Sequence, residues 1–313
     1  MKEISLPISK SIANRILLLQ AIHGDELMPV SVGMPDDVRL MHDALEALRE
    51  FGRHEPEFRR NHPLTLYLGN CGTALRFLQV HLQHCYPGEP ITLDGDPRLK
   101  ERDGKPTSQT TSARILHGED IPVQPDESPY ITMSRKVVEK YQLPITNHQS
   151  PIEADWSAAA FWYEYVAIHG GALLLRGLTS ESLQGDRIVA DIYAEHFGVE
   201  TTFIPEGAVI TNHQSPITNG KSVKLDFSDF PDLYPAVALT CEKLGSELIA
   251  TGTERLRYKE SDRLEAVRLH EVRNDHRMAM ALLAADWPVT ADEQQCIAKS
   301  YPQFVEQLSL INC

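Results

Sequence analysis

Long hydrophobic runs are missing from this sequence: no stretch reaches the roughly 18 apolar residues of a membrane span, so a bilayer-crossing protein is not expected. Positive charge is also scarce. Thirty Lys and Arg stand against 44 Asp and Glu, leaving a formal charge of −14 over 313 residues. That balance argues against any extended footprint on nucleic acid or an anionic membrane. It leaves room for a small anionic ligand, because a local basic cluster is focused within a cleft and screened beyond about 10 Å. Cysteine is sparse and unpatterned. Cys71, Cys85, Cys241, Cys296 and Cys313 form no CxxC pair and no His/Cys zinc spacing, and an odd set cannot all pair within one chain. A reduced cytoplasm is the expected setting. The segment MKEISLPISKSIANRILLLQAI is interrupted by charged and polar residues and no small-residue cleavage site follows, so no secretory leader is expected.

What is present suits a globular protein of two ordinary domains, with 42% hydrophobic residues to fill their cores. Short β-like runs at 64–68, 172–175 and 248–251 alternate with helical patterns at 38–51, 154–168 and 187–197, which predicts a mixed α and β architecture. The span 100–129 is rich in Gly, Pro, Ser, Thr and Asp and reads as a loop or a reduced unit. The octapeptide ITNHQSPI occurs twice, at 145–152 and 210–217. Its Asn, Ser and Pro suit a strand end and turn, and the unmatched flanks give little support for a repeated fold.

Four segments share one arrangement: a helix-like run that starts with glycine, a hydroxyl or a capping acid and carries a basic residue at its first turn. Helix starts of this kind bind anions, since unpaired N–H groups point outward, the dipole adds about half a positive charge and a nearby Lys or Arg adds a full one. The first is Ser9-Lys10-Ser11-Ile12-Ala13-Asn14-Arg15, with Ser11 as the expected N-cap. The second is Gly69-Asn70-Cys71-Gly72-Thr73-Ala74-Leu75-Arg76, a glycine turn after a strand that lacks the GK[ST] of a Walker loop. In the third, Lys259-Glu260-Ser261-Asp262-Arg263-Leu264-Glu265, Asp262 and Glu265 have capping-box spacing. The fourth is Asp275-His276-Arg277-Met278-Ala279-Met280, with Asp275 as N-cap and the methionines in the core. Any one of these alone reads as an ordinary capped helix. Their joint occurrence points to an anion site.

In this order the four segments resemble the enolpyruvyl transferase family, most closely its members acting on shikimate 3-phosphate. KSIANR is similar to the family's KSxSNR, GNCGTALR to GNAGTxxR, GDPRLKER (95–102) to GxxRMxxRP, TSQ (107–109) to SSQ and SPYITM (128–133) to SxPYIxMT. EADWSAAAFW, QGD, DFPDLYP, KESDRL, DHRMAMA and AKSYPQF complete a match running from residue 6 to 308. The resemblance implies transfer of the enolpyruvyl group of phosphoenolpyruvate to the 5-hydroxyl of shikimate 3-phosphate, with loss of phosphate and no metal or organic cofactor. It also implies a monomer with small-molecule partners only, neither nucleic acid nor membrane.

That chemistry needs a base at the hydroxyl and a proton donor at C3 of phosphoenolpyruvate. Asp232 matches the family's base, and Glu260 with Lys10 matches its acid region; which group protonates C3 stays open. Residues matching the phosphoenolpyruvate site are Lys10, Gly72, Arg98, Gln109, Arg263, Arg277 and Lys299. Those matching the shikimate 3-phosphate site are Ser11, Arg15, Thr107, Ser108, Gln109, Tyr130, Asp232 and Lys259. The related transferase acting on a UDP-sugar is the rival enzyme, disfavoured by ESDR, TSQ and DHRMAM; a noncatalytic anion-binding homologue is the rival outside catalysis.

The implied fold is α/β (α+β): a two-domain inside-out α/β barrel built of βαβαββ repeats. One domain would span 10–152 on the shikimate 3-phosphate side, and the other would be discontinuous, 1–9 with 153–313. Three positions depart from the pattern. Thr107 replaces a serine, Cys71 replaces a small residue and is expected to pack rather than react, and Glu127 stands where a serine meets phosphate, with Ser128 one place later. Only nine positions separate Arg98 from Thr107, and fifteen separate Glu260 from Asp275. These intervals are short for the family, so repeat segments are expected to be missing, leaving apolar faces and sheet edges uncovered. The nearly intact flanking motifs favour omitted segments over a compacted, degenerate chain.

Overall fold

The structure is a computed structural model that describes residues 1–101, 107–141, 152–212 and 222–312. Most of both octapeptide copies (145–151 and 213–217) lies outside those residues; Ile210, Thr211 and Asn212 of the second copy end a strand. The chain divides into two compact units, Met1–Ser9 with Glu153–Cys313, and Lys10–Ile152.

Among the described residues there are eight strands: β1 (Lys2–Ser5), β2 (Leu64–Tyr67), β3 (Ile91–Asp94), β4 (Gly171–Arg176), β5 (Glu200–Ile204), β6 (Gly207–Asn212), β7 (Ser222–Asp226) and β8 (Glu247–Thr251). In the discontinuous unit, the amino-terminal β1 pairs in parallel with β4, and β4, β6 and β5 continue antiparallel to make a four-stranded sheet. β7 and β8 form a separate parallel pair. Behind the sheet lies the helix Trp156–His169, apolar nearly all round, as a helix enclosed on every side must be. It packs on β4, β6 and the helices Val189–Phe197, Tyr234–Lys243 and His276–Ala284. Trp156, Phe161, Trp162 and Tyr163 fill this core together with Met278 and Met280, so both methionines are core residues as expected.

The unit 10–152 is built mainly of helices around the parallel pair β2–β3. Lys10–His23 is its centre, burying Ile12, Ala13, Ile16, Leu17 and Leu18 against Asp36–Arg53, Gly72–Cys85, Ser108–Leu116 and Pro129–Lys140. Among the described residues, both two-stranded pairs leave each strand an edge, and Tyr67 and Ile249 stand exposed on them.

The turns after β2 and β3 interlock. Gly69 takes φ +52°, a left-handed conformation that glycine adopts without strain, and its carbonyl accepts from Asp96 N–H at 2.8 Å. A Cβ on Gly95 would lie 2.4 Å from that carbonyl oxygen and 2.4 Å from Leu99 Cδ2, so only glycine lets the two turns close together.

The sequence expectations hold for the strands at 64–68, 172–175 and 248–251 and for the helices at 38–51 and 154–168. The pattern at 187–197 resolves into a 3-10 turn, Gly185–Ile188, and the helix Val189–Phe197. Two expectations are corrected. The first helix begins at Lys10, so Ser11 lies inside its first turn rather than capping it. Within 100–129, read as a loop or a reduced unit, Ser108–Leu116 is a helix: Ser and Thr are weak helix formers, but Ser112, Ile115 and Leu116 fall on one face and are buried, so packing overrides propensity.

Candidate active site

Each unit carries its own group of polar residues. In the discontinuous unit they gather around Arg263, whose side chain has no exposed surface. Its Nη1 donates to Asp232 Oδ1 at 2.7 Å, Nη2 to Glu260 Oε2 at 2.9 Å, and Nε to Asp275 Oδ2 at 2.9 Å. A planar guanidinium with five N–H donors can hold three carboxylates in this way; an ammonium cannot. The local fold delivers them. Asp232 sits in the 3-10 turn Pro231–Leu233 that leads into Tyr234–Lys243, and Arg263 opens the helix Arg263–Leu269, capped by Asp262 through Glu265 N–H. Asp275 caps His276–Ala284 by accepting from Arg277 N–H at 3.0 Å, and it also accepts from Ser261 Oγ at 3.1 Å.

Asp232 is the most heavily paired of these acids. Beyond Arg263, its Oδ1 lies 3.2 Å from Lys259 Nζ, and its Oδ2 lies 3.0 Å from Arg277 Nη2. Burial alone would raise its pKa, but Arg277, Lys259 and Arg263 together hold it well below the usual carboxylate range. Lys259 moves the other way: burial favours its neutral form and outweighs the pull of Asp232. Glu260 Oε1 pairs with Lys299 Nζ at 3.2 Å. A fourth acid, Asp186, is buried nearby, bonded by Ser157 Oγ, and burial followed by the charge of Asp232 pushes its pKa up to about 6. Sequence reading placed Asp232, Lys259, Glu260, Arg263, Arg277 and Lys299 in one site, and the structure brings all six together. It did not single out Asp186; its only signal was its place in QGD.

The unit 10–152 carries the remaining candidates. Lys10 Nζ pairs with Asp37 at 2.8 Å, at the start of Asp36–Arg53. Arg15 is buried, and its guanidinium donates to Ser134 Oγ (2.7 Å), Ser11 O (2.6 Å), Tyr130 O (2.8 Å) and Ser112 Oγ (3.4 Å). Burial lowers its pKa to about 10. It thus ties the helices Lys10–His23, Ser108–Leu116 and Pro129–Lys140 together and orders Ser11 and Tyr130.

Gly72 opens the helix Gly72–Cys85, and Cys71 Sγ accepts from Ala74 N–H, a buried cap as its packing role implied. Gln109 is held from both sides: its Nε2 donates to Thr73 Oγ1 at 2.7 Å, and its Oε1 accepts from Arg76 Nη1 at 3.1 Å. Thr73 and Arg76 were legible only as parts of the GNCGTALR segment. Ser108 starts its helix and Thr107 occupies the N-cap position, its Oγ1 buried without a hydrogen-bond partner among the described residues. Ser128, the N-cap residue of Pro129–Lys140, likewise has a buried hydroxyl without a partner. Glu127 turns away to Arg135, which donates to it at 2.8 and 3.0 Å and lowers its pKa. Arg98 is on the short helix Pro97–Glu101, paired with Glu101 at 2.8 Å.

Among the described residues, no helix is long and apolar enough to cross a membrane. A family model described as EPSP synthase (3-phosphoshikimate 1-carboxyvinyltransferase) matches residues 1–113 and 110–271. The 3-phosphoshikimate 1-carboxyvinyltransferase of Salmonella heidelberg (strain SL476) is 27% identical over 423 aligned positions, covering 98% of this chain and 95% of the relative. That of Colwellia psychrerythraea is 26% identical, covering 99% and 97%. A solved EPSP synthase from Acinetobacter baumannii shares the fold with a TM-score of 0.60 at 17% identity, covering 98% of this chain and 95% of the other. An alignment of 423 positions against a chain of 313 residues leaves at least 110 positions filled by the Salmonella relative alone.

Proposed function

This chain belongs to the EPSP synthase family, and on that premise we propose how its residues divide the work. The reaction transfers the enolpyruvyl group of phosphoenolpyruvate to the 5-hydroxyl of shikimate 3-phosphate by addition and elimination, giving 5-enolpyruvylshikimate 3-phosphate and phosphate. Asp232 takes the hydroxyl proton. In the arrangement described it is too well paired to be a good base, since Arg277, Lys259 and Arg263 all stabilise its charge. The anionic groups of the two substrates compete for Arg277 and Lys259, and as those cations turn to substrate the carboxylate regains basicity. Glu260, between Arg263 and Lys299, or Lys10 serves the proton delivered to C3.

Arg277, Lys299, Lys10, Arg98, Gln109 and the Gly72 backbone recognise phosphoenolpyruvate; bidentate arginine suits both its carboxylate and its phosphate. Ser11, Thr107, Ser108, Gln109, Tyr130, Asp232 and Lys259 recognise shikimate 3-phosphate, and the unpartnered Thr107 hydroxyl supports that reading. Arg263 and Arg15 act by holding the others in place, because their buried guanidiniums donate to protein groups. The two compact units correspond in this reading to the shikimate 3-phosphate domain (10–152) and the discontinuous domain (1–9 with 153–313), and the enzyme works as a cytoplasmic monomer. The fold is the family's inside-out barrel with repeat segments missing between Arg98 and Thr107 and between Glu260 and Asp275; the positions filled by the relative alone support this.

The observation that carries this reading is the Asp232 carboxylate set among Arg263, Arg277 and Lys259. Its test is phosphate release on mixing shikimate 3-phosphate with phosphoenolpyruvate. Release that depends on both substrates supports it; tight binding of both without release overturns it.

A further inference from the structure

We propose that His81, Cys85 and His117 form a binding site for one zinc-class divalent cation, a His2Cys set with its fourth position open to solvent. His81 and Cys85 lie one turn apart on the last turns of Gly72–Cys85 and so share a face. His117 follows the helix Ser108–Leu116, which packs alongside. One ring nitrogen of each histidine and the Cys85 sulfur all lie within 4.8 Å of one another.

The spacing suits a tetrahedral ion. His81 Nδ1 and His117 Nε2 are 3.3 Å apart. Zinc–nitrogen bonds of about 2.0–2.1 Å at a tetrahedral angle place two ligand nitrogens roughly 3.3–3.4 Å apart. A zinc–sulfur bond of about 2.3 Å calls for a sulfur to nitrogen separation near 3.5 Å, which a rotation of the exposed Cys85 side chain supplies.

The surroundings favour a cation. Two helices end at this point, and a positive charge is stabilised where their C-terminal carbonyls converge. The His81 ring is buried, and a metal takes an imidazole in its neutral form. His84 stacks on His117 with ring centroids 4.4 Å apart and faces the Glu119 carboxylate at 3.3 Å, which itself pairs with Arg114. Tyr86 packs on His81 in an edge-to-face arrangement, with ring centroids 5.8 Å apart.

The place in the fold indicates what the ion does. The opposite ends of the same two helices carry Gly72 and the Ser108–Gln109 pair. At 1.5 Å per residue, His81 and Cys85 stand about 14 and 20 Å along the helix from Gly72, too far for the ion to do chemistry on substrate. The ion is a clamp that fixes the register of the helix pair. This role rests on the substrate assignment above; the site itself does not.

The test uses tag-free full-length protein stripped with EDTA and titrated with Co2+. The expected result is one ion per chain, with the visible bands of tetrahedral cobalt and a near-ultraviolet thiolate charge-transfer band, both displaced by Zn2+. Zn2+ should also shield Cys85 from iodoacetamide in the unaltered protein, a readout that needs no variant. C85S should abolish the charge-transfer band. H117Q and H81Q should each weaken binding by at least the 10–100-fold that losing an outer partner of a metal ligand costs. C296S should bind as the parent does. Absence of tetrahedral cobalt spectra at micromolar protein, or alkylation of Cys85 indifferent to Zn2+, overturns the proposal. So does a thiolate band that survives C85S. Loss of enzymatic activity with intact metal binding would count only against the substrate assignment.

Discussion

Arg263 Nη1 donates to Asp232 Oδ1 at 2.7 Å from a side chain that has no exposed surface, while the same guanidinium bonds Asp275 through Nε. Asp232, the proposed base, and Asp275, the cap of a neighbouring helix, are thereby fixed by one planar group. Arg263→Lys keeps the charge but cannot reach three carboxylates, and removing one partner of a buried ion network costs about 3–5 kcal/mol. A midpoint of urea unfolding unchanged from the parent would refute the network's role.

Asp232→Asn preserves shape and removes the base. We expect kcat to fall by roughly 10²–10⁴-fold, the usual contribution of general base catalysis, with substrate affinity kept or tightened as Arg277 and Lys259 are released. Arg277→Ala should instead raise KM for phosphoenolpyruvate more than it lowers kcat. Steady-state phosphate release reads both, and a reversal of the two patterns would exchange the assigned roles.

Asp186 gives the discontinuous unit a pH dependence. Its folded pKa of about 6 lies above the unfolded 3.8, so its contribution is fully present below 3.8 and is lost as pH rises through 6. Asp186→Asn should therefore stabilise increasingly over that window, by about 3 kcal/mol at most above pH 6. Trp156, Trp162 and Trp287 all belong to this unit, so tryptophan fluorescence in denaturant melts reads it alone. Parallel pH profiles for the two proteins would contradict the expectation.

Glu164 is buried in the helix Trp156–His169 with no hydrogen-bond partner for either carboxyl oxygen, and burial raises its pKa well above the usual range. Holding it neutral consumes stability at pH 7, so Glu164→Leu should raise Tm by several degrees. A lowered Tm would mean the pocket needs the carboxyl's shape or polarity.

In protein stripped of metal, acidification should loosen the unit 10–152. His81 and His117 titrate near 4 when folded and near 6.5 when unfolded, so their contribution is complete above 6.5 and is lost as pH falls toward 4. Amide hydrogen exchange in the helices Gly72–Cys85 and Ser108–Leu116 should speed up across that range, less so in His81→Gln. Exchange that does not change with pH beyond its chemical rate would contradict this.

Much of the grouping around Arg263 was legible because its residues fall in contiguous segments at helix starts: Lys259, Glu260 and Arg263 are close in sequence, as are Asp275 and Arg277. The helix Ser108–Leu116 was missed since its Ser and Thr residues carry turn chemistry and only burial of one face makes it helical. The grouping of His81, Cys85 and His117 was also hidden, because 32 positions separate the last two and nothing local announces that two helices end side by side. Glu127 against Ser128 needed the structure for a different reason. One residue of register decides which side chain turns to Arg135 and which keeps a hydroxyl at the helix cap.

The closure of Gly95 against Gly69 binds the fates of two loops. The turn that leads to Gly72 and the one that leads to Arg98 share a backbone hydrogen bond and leave no room for a methyl group between them. Neither can be transplanted alone. A chimera that imports one turn from a relative without the other should misplace both, and a library that randomises position 95 should return glycine almost every time.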